Sequence, residues 1–323
     1  MKAVRCNAWG PPRTLVVEEH PTPEPGPGEI RVRIGAAAVN FPDALIVANR
    51  YQVSVPPPFT PGTDFAGTVT AVGRAVKSVS EGDRVCGAVL TGAYAEELVA
   101  PAAAVQLVPA GVDFVNAAAF LTAYATAYDA LRTTASIESG QTLVVLGAAG
   151  GVGTAAVQVG KLLGARVIAC ASSEPKLAVA RTVGADETVL YGQEPLKERL
   201  KELTGGGADV VLDPVGGRYS EPALRATRYG GRFVVVGFAS GEIPRIPLNL
   251  ILLKGVLLKG HEFGSFVVRE AEAAAENRRA LWEHLAAGRL APYIGARHSL
   301  DGAADAMARV AERRALGKIV IEP

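Results

Sequence analysis

A glycine-rich turn near the middle of the chain has the residue types and spacing of a phosphate-binding loop. Residues 143–146 form an apolar run that suits a strand buried on both faces of a parallel sheet. Glycines 147, 150, 151 and 153 follow, and apolar residues then recur at helical spacing from Val152 to Leu163. A helix N-terminus offers unpaired N–H groups and partial positive charge, so it attracts a phosphate. The residues predicted to bind a pyrophosphate are Ala149, Gly150, Gly151 and Val152.

The turn departs from the dinucleotide fingerprint at one position. In the segment 148–153, AAGGVG, Ala148 stands where the pattern G-x-G-x-x-G has its first glycine. A lone glycine pattern is also compatible with a packed turn before a core helix. The flanking strand and helix are those that the motif requires, and they favour the phosphate site.

Length and composition favour a large two-domain protein. The chain has 323 residues, 49% of them hydrophobic, and a net charge of +1. The near-neutral charge argues against a nucleic-acid or anionic-membrane partner. The apolar stretch at residues 246–258 is interrupted by Asn249 and Lys254 and is too short to span a bilayer. With no apolar signal core at the start, we expect a cytoplasmic protein.

The cysteines and histidines do not form metal-ligand patterns. The three cysteines, Cys6, Cys86 and Cys170, are far apart and contain no CxxC pair, and the four histidines are isolated as well. We therefore predict neither a disulfide framework nor a metal site.

Two different patterns divide the chain into domains. The first 110 residues or so read as short strands with glycine and proline turns, as in a small β-barrel. Helical periodicity then begins at Asn116, and six strand-like runs alternate with helical segments, which indicates a doubly wound parallel sheet. These runs are residues 143–146, 166–171, 187–191, 209–213, 232–237 and 256–260. The tail is expected to return to the first domain, giving a domain of residues 1–122 with 264–323 and another of residues 123–263.

Several motifs together resemble a known family over essentially the whole chain. They are NFPD at 40–43 with Tyr51 eleven residues after Asn40, PGTDFAGTV at 61–69, EGDRV at 81–85, LGAAGGVG at 146–153 and DPVGG at 213–217. The chain resembles the zinc-independent quinone oxidoreductases (zeta-crystallin-like) of the medium-chain dehydrogenase/reductase superfamily. The resemblance implies an α/β protein with a GroES-like β-barrel catalytic domain and a doubly wound Rossmann cofactor domain.

The zinc ligands of the related alcohol dehydrogenases are missing. Those relatives have a Cys-His pair in place of Asn40-Phe41 and a Gly-His-Glu where Gly62-Thr63-Asp64 stand. The four-cysteine lobe is absent too. The resemblance therefore implies hydride transfer without a metal.

The residues that follow the second strand of the predicted parallel sheet favour NADPH over NADH as the cofactor. An NAD site places an acidic residue about 20 residues after the glycine turn, but Ser172 and Ser173 stand there. Lys176 adds a cation for a 2′-phosphate, and Tyr191 matches a phosphate-contacting tyrosine of the family. Ser172 is also a candidate helix N-cap. Glu174 counts against NADPH unless it lies on the first helical turn and points to solvent.

Hydride transfer needs a hydrogen-bond donor for the oxygen that gains negative charge. Without zinc, Asn40 and Tyr51 are the best candidates for the catalytic residues, and the family pattern places both beside the nicotinamide and the substrate. Considered alone, Asn40 reads as a turn residue and Tyr51 as an amphipathic packing ring.

Other residues are predicted to contact the cofactor. Thr126 matches a family threonine near the nicotinamide, although a helix back-bond explains it about as well. Lys318 could reach a cofactor phosphate, but a solvated lysine is the simpler interpretation. Five further residues lie at the carboxyl edge of the predicted sheet, where ligands bind, namely Val215, Gly216, Gly237, Phe238 and Ala239.

These features favour NADPH-dependent reduction of a quinone or another conjugated carbonyl. The main alternative is a 2-enoyl thioester or alkenal reductase that uses the same hydride on a C=C bond. A non-catalytic, crystallin-like NADPH-binding protein is the alternative from another class. In the family the sixth strand pairs with its mate in a second subunit, and an unprotected apolar edge is a liability, so we expect a homodimer.

Overall fold

The computed structural model describes residues Met1–Pro323 and divides into two compact units. Unit 1 comprises Met1–Thr122 with Ile294–Pro323, and unit 2 comprises Ala123–Tyr293. The helices are α1 (Phe41–Val47), α2 (Phe114–Tyr128), α3 (Gly151–Leu162), α4 (Glu174–Thr182), α5 (Leu196–Thr204), α6 (Ser220–Arg225), α7 (Leu248–Lys254), α8 (Phe263–Arg269), α9 (Ala271–Ala286) and α10 (Ala303–Ala311). None of them has both the length and the apolar character needed to cross a membrane.

Fifteen strands form three sheets. They are β1 (Lys2–Arg5), β2 (Val16–Glu19), β3 (Glu29–Val39), β4 (Asp64–Val72), β5 (Arg84–Ala88), β6 (Glu97–Pro101), β7 (Val105–Leu107), β8 (Thr142–Leu146), β9 (Arg166–Ala171), β10 (Glu187–Leu190), β11 (Ala208–Asp213), β12 (Thr227–Val235), β13 (Leu257–Gly260), β14 (Ile294–His298) and β15 (Lys318–Ile321).

Unit 1 is built on a seven-stranded sheet in the order β14-β15-β3-β4-β5-β7, with β6 also pairing β3. The long strand β3 alternates in the way a half-buried strand must, with Ile30, Val32 and Ile34 in the core. The C-terminal strand β15 runs antiparallel to β3, with Ile319 opposite Val39. This pairing brings Lys318, the first residue of β15, to the carboxyl end of β3.

Unit 2 contains a six-stranded sheet in the order β10-β9-β8-β11-β12-β13, with every neighbouring pair parallel. This is the doubly wound order in which the first strand lies next to the fourth, and it confirms the predicted fold class. The central strands are buried on both faces, as Leu143, Val144, Val145 and Leu146 illustrate. The carboxyl ends of β8, β9 and β11 therefore share one edge of the sheet.

The chain returns to unit 1 later than the sequence predicts. The boundary expected at residue 264 lies at Ile294, because α8 and α9 group with unit 2. Helix α9 is tied there by Asn277, whose Nδ2 donates to Asp129 Oδ1 at 2.7 Å and to Thr133 Oγ1 at 2.9 Å. An amphipathic pattern indicates that one face of a helix is buried, but it does not identify the surface that covers it.

Candidate functional site

The glycine turn of unit 2 is shaped by close approaches that side chains would prevent. Gly147 has φ +60°, and a Cβ there would lie 2.6 Å from Val215 Cγ2. A Cβ on Gly153 would lie 2.2 Å from the Gly147 carbonyl oxygen. A Cβ on Gly150 would meet only that same oxygen, at 3.5 Å. Gly147 and Gly153 are thus required by the packing of the turn, whereas Gly150 borders open space.

Open backbone amides follow this turn. Helix α3 begins at Gly151, and its first backbone bond runs from Thr154 N to Gly150 O at 2.8 Å. The amides of Gly151, Val152 and Gly153 therefore have no acceptor within the helix. These N–H groups and the positive end of the helix suit a diphosphate. Ala149, also predicted to bind, is buried, so its side chain offers no contact surface to a ligand.

A hydroxyl and an ammonium group meet beyond the end of β9. Lys176 Nζ donates to Ser172 Oγ at 3.0 Å. The N-cap of α4 is Ser173, so the alternative interpretation of Ser172 as the N-cap is wrong. Glu174 lies on the first turn of α4 with 61% of its side chain exposed and pairs with Arg181 at 2.5 Å, as expected if it faces solvent. No carboxylate therefore replaces the Ser172–Lys176 pair at this position.

An aromatic pair lies close to the end of the same strand. Tyr191 N donates to Ala171 O at 3.2 Å, which places it beside Ser172. Its ring packs on that of Tyr219 with centroids 4.0 Å apart. Arg218 lies 4.9 Å above the Tyr219 ring and donates to its hydroxyl at 2.7 Å. Sequence reasoning missed Arg218 and Tyr219, although both directly follow the DPVGG motif.

The predicted residues after β11 and β12 come together in one loop cluster. A Cβ on Gly216, which has φ +71°, would lie 2.8 Å from Phe238 Cδ1. The amides of Val215 and Gly216 both donate to Asp213 Oδ1 at 2.8 Å. Burial of Asp213 raises the pKa of its carboxyl group, which these donors oppose.

The residues of this cluster that follow β12 also form backbone hydrogen bonds within the cluster. Ala239 N donates to Pro214 O at 3.1 Å, and Gly237 N reaches Asp213 O at 3.4 Å. The loop amides are largely engaged with one another. The predicted residues therefore shape this edge of the sheet more than they offer free donors to a ligand.

Unit 1 contains a buried polar network centred on Asn40, at the junction between β3 and α1. The Asn40 amide oxygen accepts from Lys318 Nζ at 2.5 Å. Its Nδ2 donates to Thr63 Oγ1 at 3.0 Å and to Asp64 Oδ2 at 2.9 Å. Its backbone N–H donates to Asp43 Oδ2 at 2.7 Å. One asparagine thus contacts Asp43, three residues away, as well as Asp64 and Lys318, which are distant in sequence.

Every charged member of this network is excluded from water. Lys318 is 2% exposed, and Asp43 and Asp64 are no more so. Burial raises the pKa of Asp43 to about 6, although Tyr94 donates to it at 2.7 Å. Burial also raises the pKa of Asp64 and lowers that of Lys318, and the attraction between these two charges opposes both shifts.

The structure changes the interpretation of Lys318. The solvated lysine favoured from composition is wrong, because its ammonium donates to Asn40 and, at 3.3 Å, to Val39 O inside unit 1. The other predicted residues stay predictions. Tyr51 packs partly buried against the unit 1 core, and Thr126 is buried in the last turns of α2, which belong to unit 2.

At the positions where the related alcohol dehydrogenases have zinc ligands, this chain has other residues. Asn40 and Asp64, which stand at two of them, are bonded to each other and to Lys318. No group of three or more His, Cys, Asp or Glu side chains lies close enough together to hold a metal ion. The asparagine amide thus takes part in a buried hydrogen-bond network in the region where relatives hold zinc.

Comparisons with known proteins agree with this architecture. Residues 26–110 match the family model described as the alcohol dehydrogenase GroES-like domain, and residues 151–279 match the zinc-binding dehydrogenase model. The quinone oxidoreductase-like protein 2 homolog of Nematostella vectensis is 38% identical, over 99% of this chain and 88% of its own length. The quinone oxidoreductase of Pseudomonas aeruginosa is 35% identical, over 100% of this chain and 99% of its own.

A solved structure extends the likeness to three dimensions. The quinone oxidoreductase of Escherichia coli, determined in complex with NADPH, has a TM-score of 0.91 and 30% identity, covering 100% of both chains. The likeness extends over the whole length of the chain, both in sequence and in fold. This chain therefore belongs to the zinc-independent, quinone oxidoreductase-like family of oxidoreductases within the medium-chain dehydrogenase/reductase superfamily.

Proposed function

We propose that this protein uses NADPH to reduce a quinone or another conjugated carbonyl without a metal. The observation that supports this most directly is the Ser172–Lys176 pair at the end of β9, with Glu174 turned to solvent. A hydroxyl and an ammonium group attract a 2′-phosphate, whereas an acid at this position would repel it. The NADPH complex of the Escherichia coli relative is consistent with the same cofactor.

The residues of unit 2 fit the cofactor in two places. The open amides of Gly151 and Val152 would hold the diphosphate, and Gly150 leaves room for it. Ser172 and Lys176 would hold the 2′-phosphate, with Arg218 as a second cation. When bound, NADPH supplies the hydride, and the protein supplies binding, orientation and electrostatics.

The residues of unit 1 would serve the acceptor. A carbonyl that receives a hydride equivalent gains negative charge on oxygen, and a positioned donor lowers the barrier to that change. We assign this donor to the Tyr51 hydroxyl, which belongs to a partly buried ring packed on the core. Asn40 is assigned an orienting role, because its amide is held by the buried network.

The test is an NADPH-oxidation screen with benzoquinone, phenanthrenequinone, a 2-alkenal and crotonyl-CoA. Each acceptor is repeated with NADH and with a chelator. Quinone-dependent oxidation that prefers NADPH and resists the chelator would support the proposal. Faster turnover of crotonyl-CoA or the alkenal would favour the C=C reductase instead, and loss of activity in chelator would contradict the metal-free mechanism.

We also propose that the protein is a homodimer formed through β13. This strand is the last in the parallel sheet, so one of its edges has no partner strand. Large apolar side chains are exposed on it and on the preceding helix, namely Leu248, Leu252, Leu253, Leu257 and Leu258. An apolar surface of this kind next to an open strand edge is typical of an interface.

Light scattering tests the dimer with a matched pair of variants. Leu257→Glu should convert the dimer to a monomer, because it buries a charge at the proposed interface. Leu107→Glu changes an equally exposed leucine, at the edge of the unit 1 sheet, and should leave the dimer intact. A wild-type monomer at micromolar concentration would refute the assignment.

A further inference from the structure

The hydrogen bonds of Asn40 use nearly all the capacity of its side chain. A primary amide has two N–H donors and one oxygen with two lone pairs. Both donors are engaged, one by Thr63 and the other by Asp64, and one lone pair receives Lys318. A single acceptor position therefore remains on the amide oxygen, and no donor remains.

The charges of Lys318 and Asp64, which contact opposite ends of the Asn40 amide, determine which way this amide faces. Lys318 has only donors, and an ionised Asp64 has only acceptors. A flipped amide would direct its NH₂ group at the ammonium and its oxygen at the carboxylate. That arrangement would lose both hydrogen bonds in a buried region, where unpaired polar groups are most costly. Lys318 and Asp64 together allow one orientation.

Other groups keep the two charges in place. Asp64 also accepts from Thr122 Oγ1 at 2.6 Å and from Thr122 N at 3.3 Å. Lys318 is the first residue of β15 and also donates to Val39 O, the last residue of β3. Asp64 is thus held by α2 and Lys318 by the end of β3, and the amide lies between two partners that each have further hydrogen bonds.

We propose that Lys318 and Asp64 are positioning residues that fix Asn40 as a hydrogen-bond acceptor. The group that it accepts from would be an N–H or O–H of the bound cofactor or of the substrate. Asn40 then cannot donate to the carbonyl oxygen, and that donation is left to Tyr51. The inference rests on the proposed function for the identity of the bound molecule. It differs from a role for Lys318 at a cofactor phosphate, since its ammonium is already held by two oxygen atoms inside unit 1.

The first test needs no ligand. The chain has six asparagines, so ¹⁵N labelling of asparagine side chains alone gives six NH₂ pairs. The signal that disappears in Asn40→Ala is the one from Asn40. We expect slow hydrogen exchange for that pair in the apoprotein. Lys318→Met and Asp64→Asn should shift it and speed its exchange, whereas Lys77→Met, an exposed lysine of unit 1, should not. An Asn40 pair that does not respond to Lys318→Met would overturn the proposal.

The second test separates binding from turnover. Lys318→Met should lower kcat about tenfold while the Kd for NADPH changes less than about threefold, as expected for a residue that acts through orientation. Lys318→Arg keeps charge and donors and should restore much of the lost rate. If Lys318 contacts a cofactor phosphate instead, Lys318→Met will raise the Kd with little effect on kcat, and the proposal fails.

A double-mutant cycle identifies the residue through which Lys318 acts. The combined Asn40→Ala/Lys318→Met variant should be no slower than Asn40→Ala alone, because the lysine then has no amide to orient. Additive losses would refute a role through Asn40. Thermal unfolding of each variant identifies any that do not fold, and Asp64→Asn then replaces Lys318→Met in the cycle, because Asp64 is proposed to act through the same amide. Absence of turnover in the wild type would refute the proposed function, and the exchange measurement would still decide this inference.

Discussion

Gly153→Ala is the substitution that tests the glycine turn of unit 2 most directly. The added methyl group would lie 2.2 Å from the Gly147 carbonyl oxygen and 2.8 Å from Ala148 backbone atoms, well inside contact distance. Backbone atoms cannot rotate away as a flexible side chain can, so the turn and α3 must separate. Forcing an extra carbon into a packed site costs about 1–3 kcal/mol.

The magnitude of this effect can be followed by thermal unfolding. For a domain the size of unit 2, each kcal/mol lowers Tm by about 2–4 °C, which predicts a loss of about 2–12 °C. NADPH affinity, measured by quenching of tryptophan emission, should fall about tenfold or more, because the amides of Gly151 and Val152 move with the helix.

Gly150→Ala is the matched control three residues away. Its methyl group would meet only the Gly147 oxygen, at 3.5 Å, and its φ of −79° is open to any residue. We expect an unchanged Tm but weaker NADPH binding, because the methyl group enters the open space at the helix N-terminus. The reasoning fails if Gly153→Ala keeps the wild-type Tm, or if Gly150→Ala unfolds as readily as Gly153→Ala.

The remaining predictions concern the cofactor charge, the proton donor and a buried acid. Lys176→Met and Arg218→Gln should each lower kcat/KM with NADPH about tenfold and leave NADH kinetics unchanged, because only NADPH has a 2′-phosphate; equal losses with both cofactors would contradict this. Tyr51→Phe should reduce kcat with little change in NADPH affinity, and stopped-flow rates of NADPH oxidation would measure it. Burial raises the pKa of Asp43 from 3.8 to about 6, so the folded protein binds a proton at Asp43 more tightly than the unfolded chain does. Stability should therefore fall by up to about 3 kcal/mol as the pH rises from about 4 to above 6, and urea unfolding of Asp43→Asn should have a smaller pH dependence.

Local patterns were sufficient to predict the parallel sheet and its glycine turn. The strand predicted at residues 166–171 has the same bounds in the structure, and the runs on either side differ by one residue. Hydrophobic periodicity and the conformational freedom of glycine act over a few residues, so they can be read without knowing the rest of the fold. The absence of the zinc ligands is likewise a property of the sequence alone.

The polar network of unit 1 could be predicted only in part. Asn40 and Asp64 were marked by the zinc-ligand positions of related dehydrogenases, but nothing in the sequence paired them with Lys318, 278 residues from Asn40. An isolated lysine near a chain terminus is usually solvated. It is buried here because antiparallel pairing of β15 with β3 places it beside Asn40.

The sequence by itself therefore determined the classes of element, the glycine turn and the set of groups available for chemistry. Tertiary structure alone decided that α9 packs within unit 2, that Tyr191 stacks on Tyr219, and that Lys318 contacts Asn40. The physical reason is that periodicity and turn chemistry depend on near neighbours in the chain. Hydrogen-bond partners and electrostatic environment depend on groups that only the completed fold brings together.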